Sequence, residues 1–193
     1  MRNWNNFLFL GSMPGLYESF HDWLHQAENL GINYLVILTP IEDIREYSPE
    51  YYTWLAGLAW SNLSPYLSFN NNGQEGIIPG YYEPETPKET CTPNSKFGFW
   101  EPRGIWYLPI SDFGIPTGPV AQHFTIGVSA IAQVRDTAKI FIHCAAGIGR
   151  TGTFACSVLK KLGFSTRDAV TQIKLVGSGP ETPNQKNYVQ DFV

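Results

Sequence analysis

His143-Cys144-Ala145-Ala146-Gly147-Ile148-Gly149-Arg150-Thr151-Gly152 decides how this chain is read. The run before it, Lys139-Ile140-Phe141-Ile142, is β-branched and aromatic enough for a buried strand. The run after it, Thr153 to Leu162, carries apolar residues at helical spacing, so strand, loop and helix follow in the order a phosphate cradle needs. Five residues between Cys144 and Arg150 let the backbone of Ala145, Ala146, Gly147, Ile148 and Gly149 curl into a cup with inward N–H groups. The sulfur then lies at its base and the guanidinium closes its rim. Such a cup fits one phosphoryl group.

Each residue type has a chemical reason. A free thiol titrates near about 8.5, whereas one at a helix N-terminus, ringed by amide dipoles and near a cation, ionises at neutral pH. Cys144 is therefore the expected nucleophile. Arg150 offers two parallel N–H donors to equatorial phosphoryl oxygens, a fork that lysine lacks. Gly147, Gly149 and Gly152 permit close backbone approach. Thr151 is expected to donate its hydroxyl to the sulfur, and His143 to orient the loop through a backbone hydrogen bond rather than act as a base. Fixing His, Cys, Gly, Arg, Thr and Gly at set offsets has a chance of about 10⁻⁵ to 10⁻⁶ in a chain this long, so accident is a poor explanation.

The loop resembles that of the protein tyrosine phosphatase superfamily, and the compact chain is most similar to the small, atypical dual-specificity phosphatases. The likeness is clear over residues 105–192 and looser over 4–60. The resemblance implies a metal-independent phosphomonoesterase with no cofactor, acting on phosphotyrosine and in some relatives on phosphoserine or phosphothreonine. It implies a phosphocysteine intermediate, phosphorylated proteins or peptides as substrates, and a loop that takes phosphate, sulfate or vanadate. It also implies a general acid about thirty residues before the cysteine. Asp112, in Leu108-Pro109-Ile110-Ser111-Asp112-Phe113-Gly114-Ile115-Pro116, lies 32 positions before Cys144 and follows a short strand, Ile105 to Leu108. Larger tyrosine-specific relatives have Trp-Pro where this chain has Ile110-Ser111, so the smaller class and a shallower pocket are expected. A Glu-Thr pair followed by glutamine points to Gln185 as holder of the hydrolytic water, with Glu181 as a supporting neighbour. The plain alternative is an exposed helical glutamine. The arginine relatives often carry ahead of this stretch is replaced by Leu175-Val176-Gly177.

Two other functions compete: a catalytically idle phosphoprotein-binding module, and a phosphoinositide or RNA 5′-phosphatase on the same scaffold. Relatives that take polyanions tend to place basic residues within the cup. Ala145, Ala146 and Ile148 stand there instead, which favours a single monoester.

The chain has 193 residues, 43% of them hydrophobic, with a formal net charge of −4. That length supports one core and so a single domain over 1–193. The charge argues against nucleic acid. Phe7-Leu8-Phe9-Leu10 is too short for a signal core and reads as a first strand. With no membrane span evident and three irregularly spaced cysteines, a cytoplasmic location is expected. Cys156 reads as packing, and Cys91 as a candidate disulfide partner of an oxidised Cys144. His21 and His25 have zinc-like spacing without a supporting cluster.

Further elements follow from pattern. Phe20, Trp23, Leu24 and Ala27 define a helix ended by Gly31, and Tyr34 to Leu38 is a strand buried on both faces. Ser48-Pro49-Glu50 opens a helix running toward Trp60. Later helices are expected over Gly118–Val134, Arg150–Leu162, Thr166–Val176 and Pro183–Phe192. Residues 61–104 form an irregular or hairpin-like insertion whose Tyr81, Tyr82, Phe97, Phe99 and Trp100 could rim the pocket. The expected fold is α/β: a short, mainly parallel sheet with helices on both faces.

Overall fold

The computed structural model describes residues 1–59, 67–69, 75–77, 80–82, 102–134 and 138–193. Its centre is a six-stranded sheet of β1 (Arg2–Trp4), β2 (Leu8–Gly11), β3 (Tyr34–Ile37), β6 (Gly80–Tyr82), β7 (Gly104–Tyr107) and β8 (Ile140–His143), in the order β1-β2-β8-β3-β7-β6. The inner four strands run parallel, while β1 and β6 pair antiparallel at the two edges. β4 (Leu67–Phe69) pairs antiparallel with β5 (Glu75–Ile77) in a separate two-stranded sheet. Of the segment 61–104, expected to be irregular or hairpin-like, the described residues pair as β4 with β5 and as β6 with the edge of the central sheet, the last of these unanticipated.

Alternation along the strands divides the core in two. Leu8, Leu10, Tyr34, Val36, Ile140 and Ile142 face one side, against α4 (Gly118–Val134), α5 (Gly149–Lys161), α6 (Thr166–Leu175) and α7 (Pro183–Asp191). Phe9, Leu35, Ile37 and Phe141 face the other, against α1 (Phe20–Leu30), α2 (Ile41–Tyr47) and α3 (Pro49–Ala59). Side chains two apart share a face, so the inner strands β2, β3 and β8 must be largely apolar throughout to cover both layers.

Local chemistry sets the helix ends. Ser19 caps α1 by accepting from the Asp22 N–H at 3.0 Å, and Gly31 closes it at φ 70°. Its expected core stripe of Phe20, Trp23, Leu24 and Ala27 is buried. The helix expected at 48–60 is α3, and α2 precedes it without having been anticipated. β1 was also missed, because Arg2-Asn3-Trp4 has no strand-like run. α5 is buried without a break from Gly149 to Leu159, which fixes the end of the cup rigidly in the core. Among the described residues no helix is long and apolar enough to cross a membrane.

Candidate active site

Cys144 leaves β8 at the carboxyl edge of the parallel strands, where loops between strands and helices converge. It is buried, and its Sγ accepts the Gly147 N–H at 3.3 Å. Around it, the outward carbonyls of the loop are bonded to distant parts of the chain. The Met13 N–H donates to the Ala145 carbonyl at 2.9 Å. The Ser178 hydroxyl lies within hydrogen-bond reach of the Gly147 and Ile148 carbonyls, at 3.0 and 2.9 Å. The Gly152 N–H donates to the Ile148 carbonyl at 2.8 Å as α5 begins. A planar trans peptide that turns its carbonyl outward turns its N–H the other way, so these bonds shape a ring of inward donors.

Two glycines are required by contact. Gly147 takes φ 74°, and a methyl group there would overlap the Gly11 carbonyl group. One at Gly152 would overlap the backbone of Gly179. The cup is wedged between the end of β2 and the loop before α7.

His143 is buried as well. Its Nε2 lies 2.8 Å from the Tyr51 hydroxyl and its Nδ1 3.4 Å from the Cys144 carbonyl. The neutral ring therefore donates through Nδ1 and accepts from tyrosine at Nε2. Burial, with the Arg150 charge adding to it, holds its pKa down to about 3 from 6.5, against the carbonyl bond. Above pH 6.5 the folded and unfolded rings are both neutral, and the stabilising contribution is complete. As pH falls from 6.5 toward 3 the unfolded state alone takes up the proton, at a cost of up to roughly 1.4 kcal/mol per pH unit. Urea midpoints should fall over that window, and the fall should be shallower in His143→Gln. Parallel acid limbs would exclude His143 as the cause.

Arg150 joins the cup to the expected acid loop. Its Nη1 donates to the Ile110 carbonyl at 2.9 Å and its Nη2 lies 3.1 Å from Asp112 Oδ1. The guanidinium is buried and the carboxylate is exposed. Asp112 also accepts the Phe113 N–H at 3.1 Å, and the Gly114 N–H closes a turn onto the Ser111 carbonyl at 2.8 Å. Phe113 itself is 63% exposed at φ 56°, an uncommon conformation for a bulky residue.

Gln185 is fully buried, not the exposed glutamine of the plain alternative. Its Oε1 accepts the Glu181 and Thr182 N–H groups at 2.9 and 3.2 Å, while its Nε2 donates to the Gly114 carbonyl at 3.0 Å. It thereby ties the capping box of α7 to the acid loop. The side chains of Gln185 and Glu181 both stand over Gly149. Thr151 differs from its expectation: its hydroxyl is buried and, among the described residues, has no hydrogen-bond partner, the sulfur included. Cys156 is packed inside α5 with its thiol pushed up to about 12 by burial. Cys91, Trp60, Phe97, Phe99, Trp100 and the side chains of Tyr81 and Tyr82 lie outside the described residues. His21 and His25 join no group of three metal-ligating side chains among the described residues.

Residues 102–163, from β7 through α5, match a family described as "Tc-R-P: Polymorphic toxin system, DSP-PTPase phosphatase". Over that stretch the chain is similar to the dual-specificity and tyrosine phosphatases. Human tyrosine-protein phosphatase non-receptor type 20 is 36% identical over 89 residues, 42% of this chain and 21% of that protein. The probable tyrosine phosphatase H4 of Microplitis demolitor bracovirus is 41% identical over 63 residues, 28% of this chain and 33% of that protein. The matches thus span a third or less of these two relatives' length. Among solved structures, the kinase-associated phosphatase with a serine in place of its catalytic cysteine has a TM-score of 0.61 at 16% identity, over 96% of this chain and 84% of that one. PTPMT1 has a TM-score of 0.58 at 14% identity, over 99% and 92%. These likenesses establish the tyrosine phosphatase-like fold.

Sequence reasoning missed several parts of this site: Tyr51, Ser178, the Ile110 carbonyl and the Met13 N–H. Their signals are backbone groups or commonplace side chains far away in the chain. Only the contact itself marks them.

Proposed function

We propose that this chain is a single-domain, metal-independent phosphomonoesterase of the tyrosine or dual-specificity type. In the first step the Cys144 thiolate attacks phosphorus, an S–P bond forms, and the P–O bond to the leaving group breaks. Asp112 gives its proton to that oxygen. Water then attacks the phosphocysteine, Asp112 takes its proton back, and the S–P bond breaks to release inorganic phosphate. Arg150 and the loop N–H groups hold the equatorial oxygens throughout. The observation that carries the reading is the 3.1 Å Arg150–Asp112 contact, which brings an acid from another loop to the rim of a nucleophile's cup. A bound phosphoryl group competes with Asp112 for Arg150 and leaves the carboxyl beside the leaving oxygen. Gln185 is proposed to hold this loop in place and to orient the water through its amide, with Glu181 alongside.

The apolar Ala145, Ala146 and Ile148 favour one phosphoryl group over a polyphosphate. Phe113, exposed beside Asp112, favours an aromatic leaving group such as phosphotyrosine. The family match adds a setting, since its description places that phosphatase in a polymorphic toxin system.

The test is phosphate release from an aryl phosphate in chelator, with a phosphorylated Cys144 peptide recovered after acid quench. Tight phosphotyrosine-peptide binding without any release would establish the idle binder instead. Faster turnover of a phosphoinositide or an RNA 5′-triphosphate than of phosphotyrosine peptides would overturn the substrate class. Asp112→Asn should lower turnover about 10² to 10⁴-fold for an alkyl or unactivated aryl ester and only a few-fold for an activated one. Equal losses across leaving groups would remove Asp112 as the acid.

A further inference from the structure

β1 gives the cup a partner that the catalytic reading does not use. Asn5 and Asn6 take φ 52° and 59°, left-handed angles that asparagine tolerates better than most residues, and so turn the chain back tightly into β2. Trp4 fastens the strand: its indole N–H donates to Gln172 Oε1 at 3.2 Å, and its ring meets Phe7 and Phe164 edge-on at 5.5 and 5.7 Å. The resulting register sets Arg2 opposite Leu10, one residue before the Gly11 against which Gly147 is packed. From there Arg2 Nη1 donates to the Gly147 carbonyl at 3.4 Å and to the Gly177 carbonyl.

The Gly147 oxygen is therefore held by two groups, Arg2 and the Ser178 hydroxyl. Both lie outside the loop. The peptide they grip runs from Gly147 to Ile148, and fixing its carbonyl outward fixes the Ile148 N–H toward the cup. A cation on the carbonyl side also polarises that peptide so that its N–H becomes a stronger donor, and it places positive charge behind the bound anion.

We propose that Arg2 is a positioning residue of the phosphate cup, setting the Gly147–Ile148 peptide for anion binding from a strand outside the loop. The inference rests on the phosphatase reading above. It distinguishes Arg2 from a residue that merely fastens β1 to the body of the protein, a task Trp4 already performs.

Inorganic vanadate is the probe, with Arg2→Met, Arg2→Lys, Ser178→Ala and the Arg2→Met/Ser178→Ala pair measured beside the wild type. In Arg2→Met the vanadate inhibition constant should rise about tenfold, the range of one charged hydrogen bond, and kcat/KM for an aryl phosphate should fall at least as far. Arg2→Lys should recover part of the loss, because the charge remains while the planar, fixed geometry of the guanidinium donors is gone. The double variant should lose less than the product of the single losses, since both donors serve one oxygen. A lowered melting temperature in Arg2→Met with unchanged vanadate inhibition would show a purely structural role and overturn the proposal. If Arg2→Met does not fold, Arg2→Lys carries the same comparison, and wild-type affinity in it overturns the proposal equally. A wild type that turns over aryl phosphate and binds vanadate no better than its Arg2 variants sinks only this inference. A wild type that does neither sinks the phosphatase reading with it.

Discussion

Cys144→Ser is expected to abolish turnover, by about 10⁴-fold or more, in a protein that still folds and still binds phosphorylated peptide. The reason is the difference between a thiol and an alcohol in the same cup. Sulfur ionises far more readily than oxygen and is the better nucleophile near neutral pH, whereas a serine there has no neighbouring base to take its proton. His143 cannot serve: Tyr51 and the Cys144 carbonyl occupy both its ring nitrogens, and burial keeps it uncharged. Binding should survive because it rests on the loop N–H groups and Arg150, none of which depends on the sulfur. Phosphopeptide affinity and aryl phosphate release, measured on one preparation, separate the two effects. Residual turnover within about tenfold of wild type would remove Cys144 as the nucleophile. Cys156→Ser is the matched control, since that thiol is buried in α5 away from the cup and should leave the rate intact.

Arg150→Lys is expected to lose nearly as much as Arg150→Ala, about 10³-fold in kcat/KM for each. The guanidinium reaches two points of the acid loop at once, the Ile110 carbonyl at 2.9 Å and Asp112 at 3.1 Å. A lysine ammonium is a single point on a flexible stem and cannot span them, nor can it present parallel donors to two phosphoryl oxygens. Loss of the fork should also loosen the acid loop. The Arg150→Lys and Asp112→Asn losses should then overlap, so that the double variant falls short of their product. Steady-state kinetics on the two single variants and the double variant test both claims. A lysine variant within a few-fold of wild type would refute the bidentate picture, and strict additivity would refute the coupling of arginine to loop.

Much of the fold was legible because it is written in near neighbours. The stripe Phe20, Trp23, Leu24 and Ala27 needs only a helical repeat, Gly31 only a left-handed angle, and α4 was expected at its observed bounds of Gly118–Val134. β1 escaped notice because an edge strand of Arg2-Asn3-Trp4 is defined by its partner β2 rather than by its own pattern. α2 was missed because it abuts α3 at Ser48, where one expected helix start hid the helix before it. β6 was missed for the same reason as β1, since Gly80-Tyr81-Tyr82 becomes a strand only beside β7.

The site divides along the same line. Cys144, Arg150 and the glycines between them are close in sequence, so the residue order alone determined the loop and its place between a strand and a helix. Asp112 could be named from its loop, but the sequence could not set its carboxylate against a guanidinium. Chain path decided that, as it decided that Tyr51 would meet His143, that Ser178 would grip Gly147 and that Gln185 would spend its amide on Gly114. Short-range geometry follows from which side chains and backbone angles stand next to each other. Contacts between residues 145 positions apart, such as Arg2 and Gly147, exist only once a packed sheet and its helices have fixed where each loop emerges.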